Sequence, residues 1–233
     1  MIVKSLYALI AKIYCIVISS YEEFFLRNEN HFIKKPIYRF NNVTFDKIEY
    51  DKFEKINKNK YLDIYIFPEK EIIKLIESIF KKNNLAKKIS ELTGFKYTVN
   101  YFTAYKIYKL SEEDLFKPWY ANNFHIDKPY SRNMVKLFFS FEKIDENRGA
   151  MIIKDDILHK ATIDDDELVL FLPNQYYHKA SSPKKGSRFL MMLQLNPSSY
   201  WKINQKIFYK QKKIEPKFPF FTSLLDKKIK LET

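Results

Sequence analysis

Between positions 95 and 197 the chain alternates short aromatic and β-branched runs with polar breaks, and this pattern predicts strands. The runs are 97–110 (YTVNYFTAYKIYKL), 134–141 (MVKLFFSF), 150–153, 167–172 (ELVLFL), 176–180 and 187–195 (SRFLMMLQL). The segment 145–149 (DENRG) reads as a turn. Several short strands with polar turns between them predict an antiparallel sandwich or barrel. Before position 95 the period lengthens. Ile72, Ile73, Ile76 and Ile79 recur at near-helical spacing in 71–82, with Pro68 and Glu69 as a start signal. A second helical piece, 84–92, stops at Thr93-Gly94. The fold class expected is therefore α+β, mainly β with N-terminal helices. The first twenty residues (MIVKSLYALIAKIYCIVISS) are apolar but interrupted by Lys4 and Lys12. These lie roughly 80° apart on a helix, so the segment predicts an amphipathic helix packed on its own domain. Its longest uncharged run, 13–21, falls short of the ~20 residues that a membrane span needs. The stretch ISSYEE is a poor cleavage site for a signal peptide.

No repeat and no Gly/Ser linker interrupts the chain, so one domain is expected over 1–233. Its parts are a mainly helical 1–94, a β core at 95–197, and a basic, aromatic 198–233 wrapping that core. Hydrophobic residues make up 46% of the chain, enough for a buried core. Three glycines, Gly94, Gly149 and Gly186, leave no way to write a glycine-rich phosphate loop. The net charge of +13 comes from 41 Lys and Arg against 28 Asp and Glu. The excess lysine is scattered, which reads as solvation, whereas a nucleic-acid footprint is clustered. Nucleic acid is accordingly not the expected partner. Cys15 is the single cysteine, so no internal disulfide and no thiolate metal site can form. That fits a reducing, cytoplasmic setting, with peripheral membrane contact through 1–20 as the alternative. No protein partner is evident in the sequence.

Four histidines occur, at 31, 125, 159 and 178. In extended backbone His125 and Asp127 point the same way, bringing an imidazole and a carboxylate to one point. His178, from another strand, completes two His and one carboxylate. That facial set suits iron(II), because three coordination positions stay open. Further along, Arg188 interrupts an apolar run, Phe189 to Leu193. A guanidinium pointing into an apolar barrel is costly unless it meets an anion, and its planar fork matches a carboxylate. The far carboxylate of 2-oxoglutarate is the natural partner. On alternation, Arg188, Leu190, Met192 and Gln194 share one face. Strand parity gives Tyr101, Tyr105, Tyr108, Lys136, Phe138, Leu190 and Met192 as candidate substrate-pocket residues. His159, in DDILHKAT, reads as a loop histidine, and His31 as a surface one.

At this point the chain resembles the phytanoyl-CoA dioxygenase-like 2-oxoglutarate oxygenases. The resemblance rests on FHIDKPYSRNMVKLFFSFEKIDENRGAMII and DELVLFLPNQYYHKASSPKKGSRFLMMLQLNP, and covers roughly 97–197. In that family a His-x-Asp precedes a hydrophobic strand and an acidic Asn/Gly turn. A strand like ELVLFLP then leads to the distal His, and Arg follows on the last core strand. The resemblance implies a double-stranded β-helix (jelly roll) with His125, Asp127 and His178 as the metal and catalytic set. It implies iron(II), 2-oxoglutarate and O2 as cofactor and cosubstrates, with Arg188, Tyr108 and Ser187 around the 2-oxoglutarate. The reaction implied is hydroxylation of a small organic substrate with release of succinate and CO2. Halogenating relatives replace the carboxylate by a small residue, so Asp127 favours hydroxylation, or a related desaturation or ring closure. Phe124 stands where the family commonly has Trp, and KASSPKKGS lacks an Asn often found there. A nucleic-acid demethylase is less favoured, because 189–213 contains no second Arg. A non-catalytic binding or membrane-surface module is the other alternative, working through the N-terminal helix and WKINQKIFYKQKK.

Overall fold

The computed structural model describes residues 2–27, 35–115, 122–127, 131–204 and 228–231. In chain order the elements are α1 (Ile2–Phe25), β1 (Ile37–Phe40), β2 (Glu54–Asn59), β3 (Leu62–Ile66), α2 (Glu69–Lys82) and α3 (Leu85–Thr93). There follow β4 (Lys96–Tyr108), α4 (Glu112–Leu115), β5 (Val135–Phe139), β6 (Met151–Lys154), β7 (Leu158–Ala161) and β8 (Leu168–Phe171). The chain continues with β9 (Tyr177–Ala180), β10 (Ser187–Ser198), β11 (Lys202–Asn204) and β12 (Lys228–Lys230).

Both helices expected from the period form. Glu69 and Glu71 sit in the first turn of α2 and Lys81 and Lys82 in its last, the arrangement that the helix dipole favours. Gly94 ends α3 in the left-handed region at φ 76°, its N–H donating to Ser90 O at 2.8 Å. The turn at 145–149 also forms, with Asp145 Oδ1 accepting the N–H groups of Asn147 and Arg148 at 2.9 Å each. Gly149 closes it at φ +84°, where an added Cβ would meet Ser181 O at 2.5 Å.

The strands form two sheets. The larger has the order β1-β8-β5-β10-β4-β11-β12, with the β2–β3 hairpin also joined to β4. The smaller has the order β7-β6-β9, extended by an antiparallel bridge between His125 and His178. From β4 onward the chain crosses from one sheet to the other. It runs β4, the His125 bridge, β5, then β6 and β7, then β8, β9 and β10. Two interleaved sheets wound this way are a double-stranded β-helix, the jelly roll expected above.

The two faces of the larger sheet bury different things. Outside, α2 and α3 set Ile72, Leu75, Ile76 and Ile79 against Phe102, Phe139 and Phe189. Each such fully buried side chain contributes roughly 1.5–3 kcal/mol. Inside, between the sheets, lie Phe138, Ile153, Val169, Phe171, Leu190 and Met192.

The N-terminal third holds α1, α2 and α3, together longer than the strands β1, β2 and β3 that also lie within it. Two expectations change. The segment holding His159 is β7, not a loop. Helix α1 forms and runs to Phe25, but only a narrow stripe including Ala11 and Ile18 is buried. Leu6, Ile10, Ile13, Val17 and Phe24 on its broad apolar face stay exposed. The helix is tied down by polar contacts: Arg132 N–H donates to Ser19 Oγ at 2.9 Å, and Asn133 Nδ2 to Glu22 Oε2 at 3.2 Å. Among the described residues no helix is long and apolar enough to cross a membrane. In the C-terminal segment Trp201 packs on Phe80 and Tyr97 and donates to Ser90 Oγ at 3.0 Å. Residues 205–227 and His31 lie outside the described residues.

Candidate metal centre

His125 and His178 face each other across two strands of the smaller sheet. The N–H of His125 donates to His178 O at 3.0 Å, and that of His178 to His125 O at 2.9 Å. Such a doubly bonded antiparallel pair fixes both Cα positions. Two residues on, Asp127 N–H donates to Pro173 O at 3.1 Å, which keeps the His-x-Asp backbone extended and its two side chains on one side.

The side chains converge. Asp127 Oδ1 lies 3.7 Å from His125 Nε2 and 3.7 Å from His178 Nε2. One ligand atom from each residue falls within 4.8 Å of the others. Two ligands at right angles on bonds of about 2.1 Å would stand about 3 Å apart, so a metal ion needs only a small contraction. Both imidazoles are also oriented for it. His125 Nδ1 lies 2.9 Å from Asn123 O, and His178 Nδ1 lies 3.2 Å from Tyr176 O. A carbonyl accepts only, so each Nδ1 carries the proton and each Nε2 presents a lone pair to the centre.

The local charge favours ligation. Burial pushes the His178 imidazole down to about 4, against the pull of the Asp127 charge, so it stays neutral at physiological pH. Burial pushes the Asp127 carboxyl up, but the charge and hydrogen bond of Lys136 outweigh it and hold it below the usual carboxylate range. The main partner is Lys136 on β5, with Nζ 2.6 Å from Asp127 Oδ2 and both side chains buried. The two carboxylate oxygens are thus divided: Oδ1 faces the imidazoles and Oδ2 the ammonium.

Arg188 is 2% exposed, and its Nε has no hydrogen-bond partner. No carboxylate pairs with it among the described residues, and burial holds its guanidinium below its ordinary range. It alternates with Phe189, Met191 and Leu193, which belong to the helix-side core, so it points between the sheets with Leu190 and Met192. A buried guanidinium beside Tyr105, with no carboxylate partner among the described residues and turned into the space between the sheets, suits an anion carrying a carboxylate.

Other predicted positions divide between the two faces. Tyr101, Tyr105, Phe138, Leu190 and Met192 belong to the inter-sheet cluster. Lys136 also points inward, and there it is engaged by Asp127. Ser187 and Tyr108, expected at the cosubstrate, are corrected. They pair with each other in register, and alternation turns both to the face opposite Arg188. Tyr108 instead donates to Asp63 Oδ2 at 2.8 Å. His159 faces inward opposite Ile153 and meets Asp155 at 3.0 Å, outside the converging set. The Lys136 contact was missed: β5 read as an apolar strand, and the one inward lysine was the available signal. A cleft of about 460 Å³ lined by Arg27, Phe95, Tyr97, Arg132 and Gln175 lies elsewhere and contains none of the predicted site residues.

No family model and no curated protein matches this chain. Among solved structures it is similar to HygX from Streptomyces hygroscopicus with nickel and 2-oxoglutarate bound, with TM-score 0.48 and 9% identity over 71% of this chain and 84% of that one. It is similar to the non-heme alpha-ketoglutarate-dependent epimerase SnoN of nogalamycin biosynthesis, with TM-score 0.46 and 11% identity over 62% and 65%. A Pseudomonas putida prolyl-4-hydroxylase gives TM-score 0.43 and 13% identity over 71% and 94%. Likenesses this remote do not assign a function.

Proposed function

We propose that this chain is a non-haem iron(II), 2-oxoglutarate-dependent oxygenase that hydroxylates a small organic substrate. The observation that carries the reading is the convergence of Asp127 Oδ1 with both imidazole Nε2 atoms at 3.7 Å, with the buried Arg188 turned into the same inter-sheet space from the larger sheet. His125, Asp127 and His178 would hold the metal, and Arg188 the far carboxylate of the cosubstrate. Bound together, iron and 2-oxoglutarate supply oxygen activation coupled to release of succinate and CO2.

The chain's own residues prepare that chemistry. The Nδ1–H contacts to Asn123 O and Tyr176 O keep both Nε2 atoms free of protons. Lys136 occupies Asp127 Oδ2, so Oδ1 is the oxygen that would be left to hold a metal. Phe138, Phe171, Leu190 and Met192 keep water from the space beside the ligands.

An anaerobic titration of metal-free protein with iron(II) and 2-oxoglutarate tests the reading. A weak visible charge-transfer band is expected in wild type, absent in His178→Ala. Failure of wild type to bind iron(II) would overturn it.

A further inference from the structure

The larger sheet carries a row of buried polar side chains that ends on the candidate metal centre. Gln194 on β10 is in register with Lys136 on β5 and Tyr101 on β4, and Ile203 on β11 with Val99 on β4. Ile203, Val99, Leu195 and Leu137 all pack on the helix side. Alternation therefore turns their neighbours Asn204, Gln194 and Lys136 to the barrel side. Asn100 is the extra residue where the β4–β10 register shifts, and such a bulge re-aims a side chain inward without breaking the sheet.

These groups are enclosed but incompletely bonded. Asn100, Gln194 and Asn204 are 0% exposed, and Lys136 is 6%. Nδ2 and Oδ1 of Asn100, Nδ2 and Oδ1 of Asn204, and Oε1 of Gln194 have no hydrogen-bond partner. Gln194 Nε2 makes one contact, to Asn196 Oδ1 at 3.3 Å. Unpaired buried amides are costly, and their clustering on one face marks a surface that a ligand completes. Arg188 and Gln194 lie at opposite ends of one barrel-facing strip of β10 with Leu190 and Met192 between, so the cosubstrate grip and the amides do not compete for space.

We infer that the row Asn204–Asn100–Gln194, anchored to Asp127 through Lys136, is the substrate-recognition surface, and that it selects an uncharged polyhydroxylated molecule. The inference rests on the oxygenase reading above and deepens it. Each amide offers a donor and an acceptor side by side, and a hydroxyl is both, so vicinal hydroxyls match the row group for group. The charge in the row, Lys136, is neutralised by Asp127, and the buried Lys202 two residues before Asn204 sits against the Tyr200 ring, so the row itself presents neutral amides. A hydrocarbon chain would bury the amides unpaired, the situation in which hydrogen-bonding sites discriminate most strongly.

The test uses the full chain and the variants Asn100→Leu, Gln194→Met and Asn204→Leu. Glucose, myo-inositol and N-acetylglucosamine are the probes, with octanoate as the apolar control. Readouts are succinate release with iron(II) and 2-oxoglutarate, the visible band, and the melting temperature with and without probe. At least one polyol is expected to raise succinate release tenfold or more in wild type, with no response to octanoate. Gln194→Met and Asn204→Leu should cut that response at least tenfold while melting no lower than wild type. Stimulation by octanoate alone, no effect of any polyol on turnover or melting, or variants that respond like wild type would each overturn the inference. So would variants that melt well below wild type, since the amides would then be internal struts. If wild type forms no visible band, the oxygenase reading fails by itself. A polyol-induced rise in melting temperature that the variants lose would still uphold the row.

Discussion

Arg188 and Phe189 are adjacent on β10 and both buried, yet they serve different regions of the molecule. Phe189 turns to the helix side, where it stacks on Tyr50 at 3.8 Å between ring centres and meets Tyr65 edge-on at 5.4 Å. Arg188 turns between the sheets with an unpartnered Nε. The same contrast runs along β5, where Leu137 packs under the helices and Lys136 reaches Asp127. The outer face is filled by side chains that complete one another. The inner face also carries charged groups, Lys136 paired with Asp127 and Arg188 with an unpartnered Nε, beside the candidate metal centre.

The largest effect that can break this contrast is on the outer face. Phe189→Ala leaves a cavity beside Tyr50 and Tyr65 on the outer face and should cost about 3–5 kcal/mol in urea denaturation. A loss under 1 kcal/mol would mean that this face does not carry the fold.

Next comes Lys136→Met. Removing one member of a buried ion pair strands the other, at a cost of about 3 kcal/mol without metal. Cobalt(II), a redox-stable stand-in, should restore much of that loss, because the metal supplies the missing positive charge to Asp127. The metal-induced rise in melting temperature should then be larger in the variant than in wild type. Equal rises would show that Lys136 and the metal do not share the carboxylate.

Arg188→Met should behave oppositely to its neighbour. Folding stability is expected to hold or rise slightly, since an unpaired buried cation is removed. Affinity for 2-oxoglutarate should fall about 100-fold, or about 2.7 kcal/mol, in the anaerobic band titration. A variant that unfolds but keeps its affinity would reverse the assignment of the two faces.

Legibility in the sequence follows the same division. The convergence of His125, Asp127 and His178 and the inward turn of Arg188 follow from period-2 alternation, which fixes which side chains share a side. The same rule excludes Ser187, one residue from Arg188, and Tyr108, its register partner. The assignment of that pair to the cosubstrate therefore failed on parity. Lys136 against Asp127 depends on how β5 lies relative to the smaller sheet, and no local pattern encodes that. The inward turn of Asn100 depends on a bulge set by pairing with β10. Strands β2 and β3 were hidden because lysine and asparagine dilute their alternation in EKINKNKYLDIYI. The acidic flanks of DDILHKAT disguised β7 in the same way.

The smallest effect separates how the two regions hold a buried acid. Asp127 stays ionised between the sheets because Lys136 accompanies it. Glu22 of α1 is buried on the other side, and burial pushes its carboxyl up to about 8 despite contacts from Ser131 and Asn133. The folded chain then keeps a proton that the unfolded chain releases above the ordinary value of 4.5. Between those two values the unfolded state binds fewer protons, so stability must fall as pH rises, and it levels off above the upper one. A loss of about 2 kcal/mol from pH 5 to pH 8 is expected in wild type, well within the limit of about 1.4 kcal/mol per pH unit. Glu22→Gln keeps the shape and the contact with Asn133 but has no proton to lose. Its stability should be flat across that range, and at pH 8 it should exceed wild type. A wild-type slope that survives in the glutamine variant would place the pH dependence in another group and leave Glu22 ionised like Asp127.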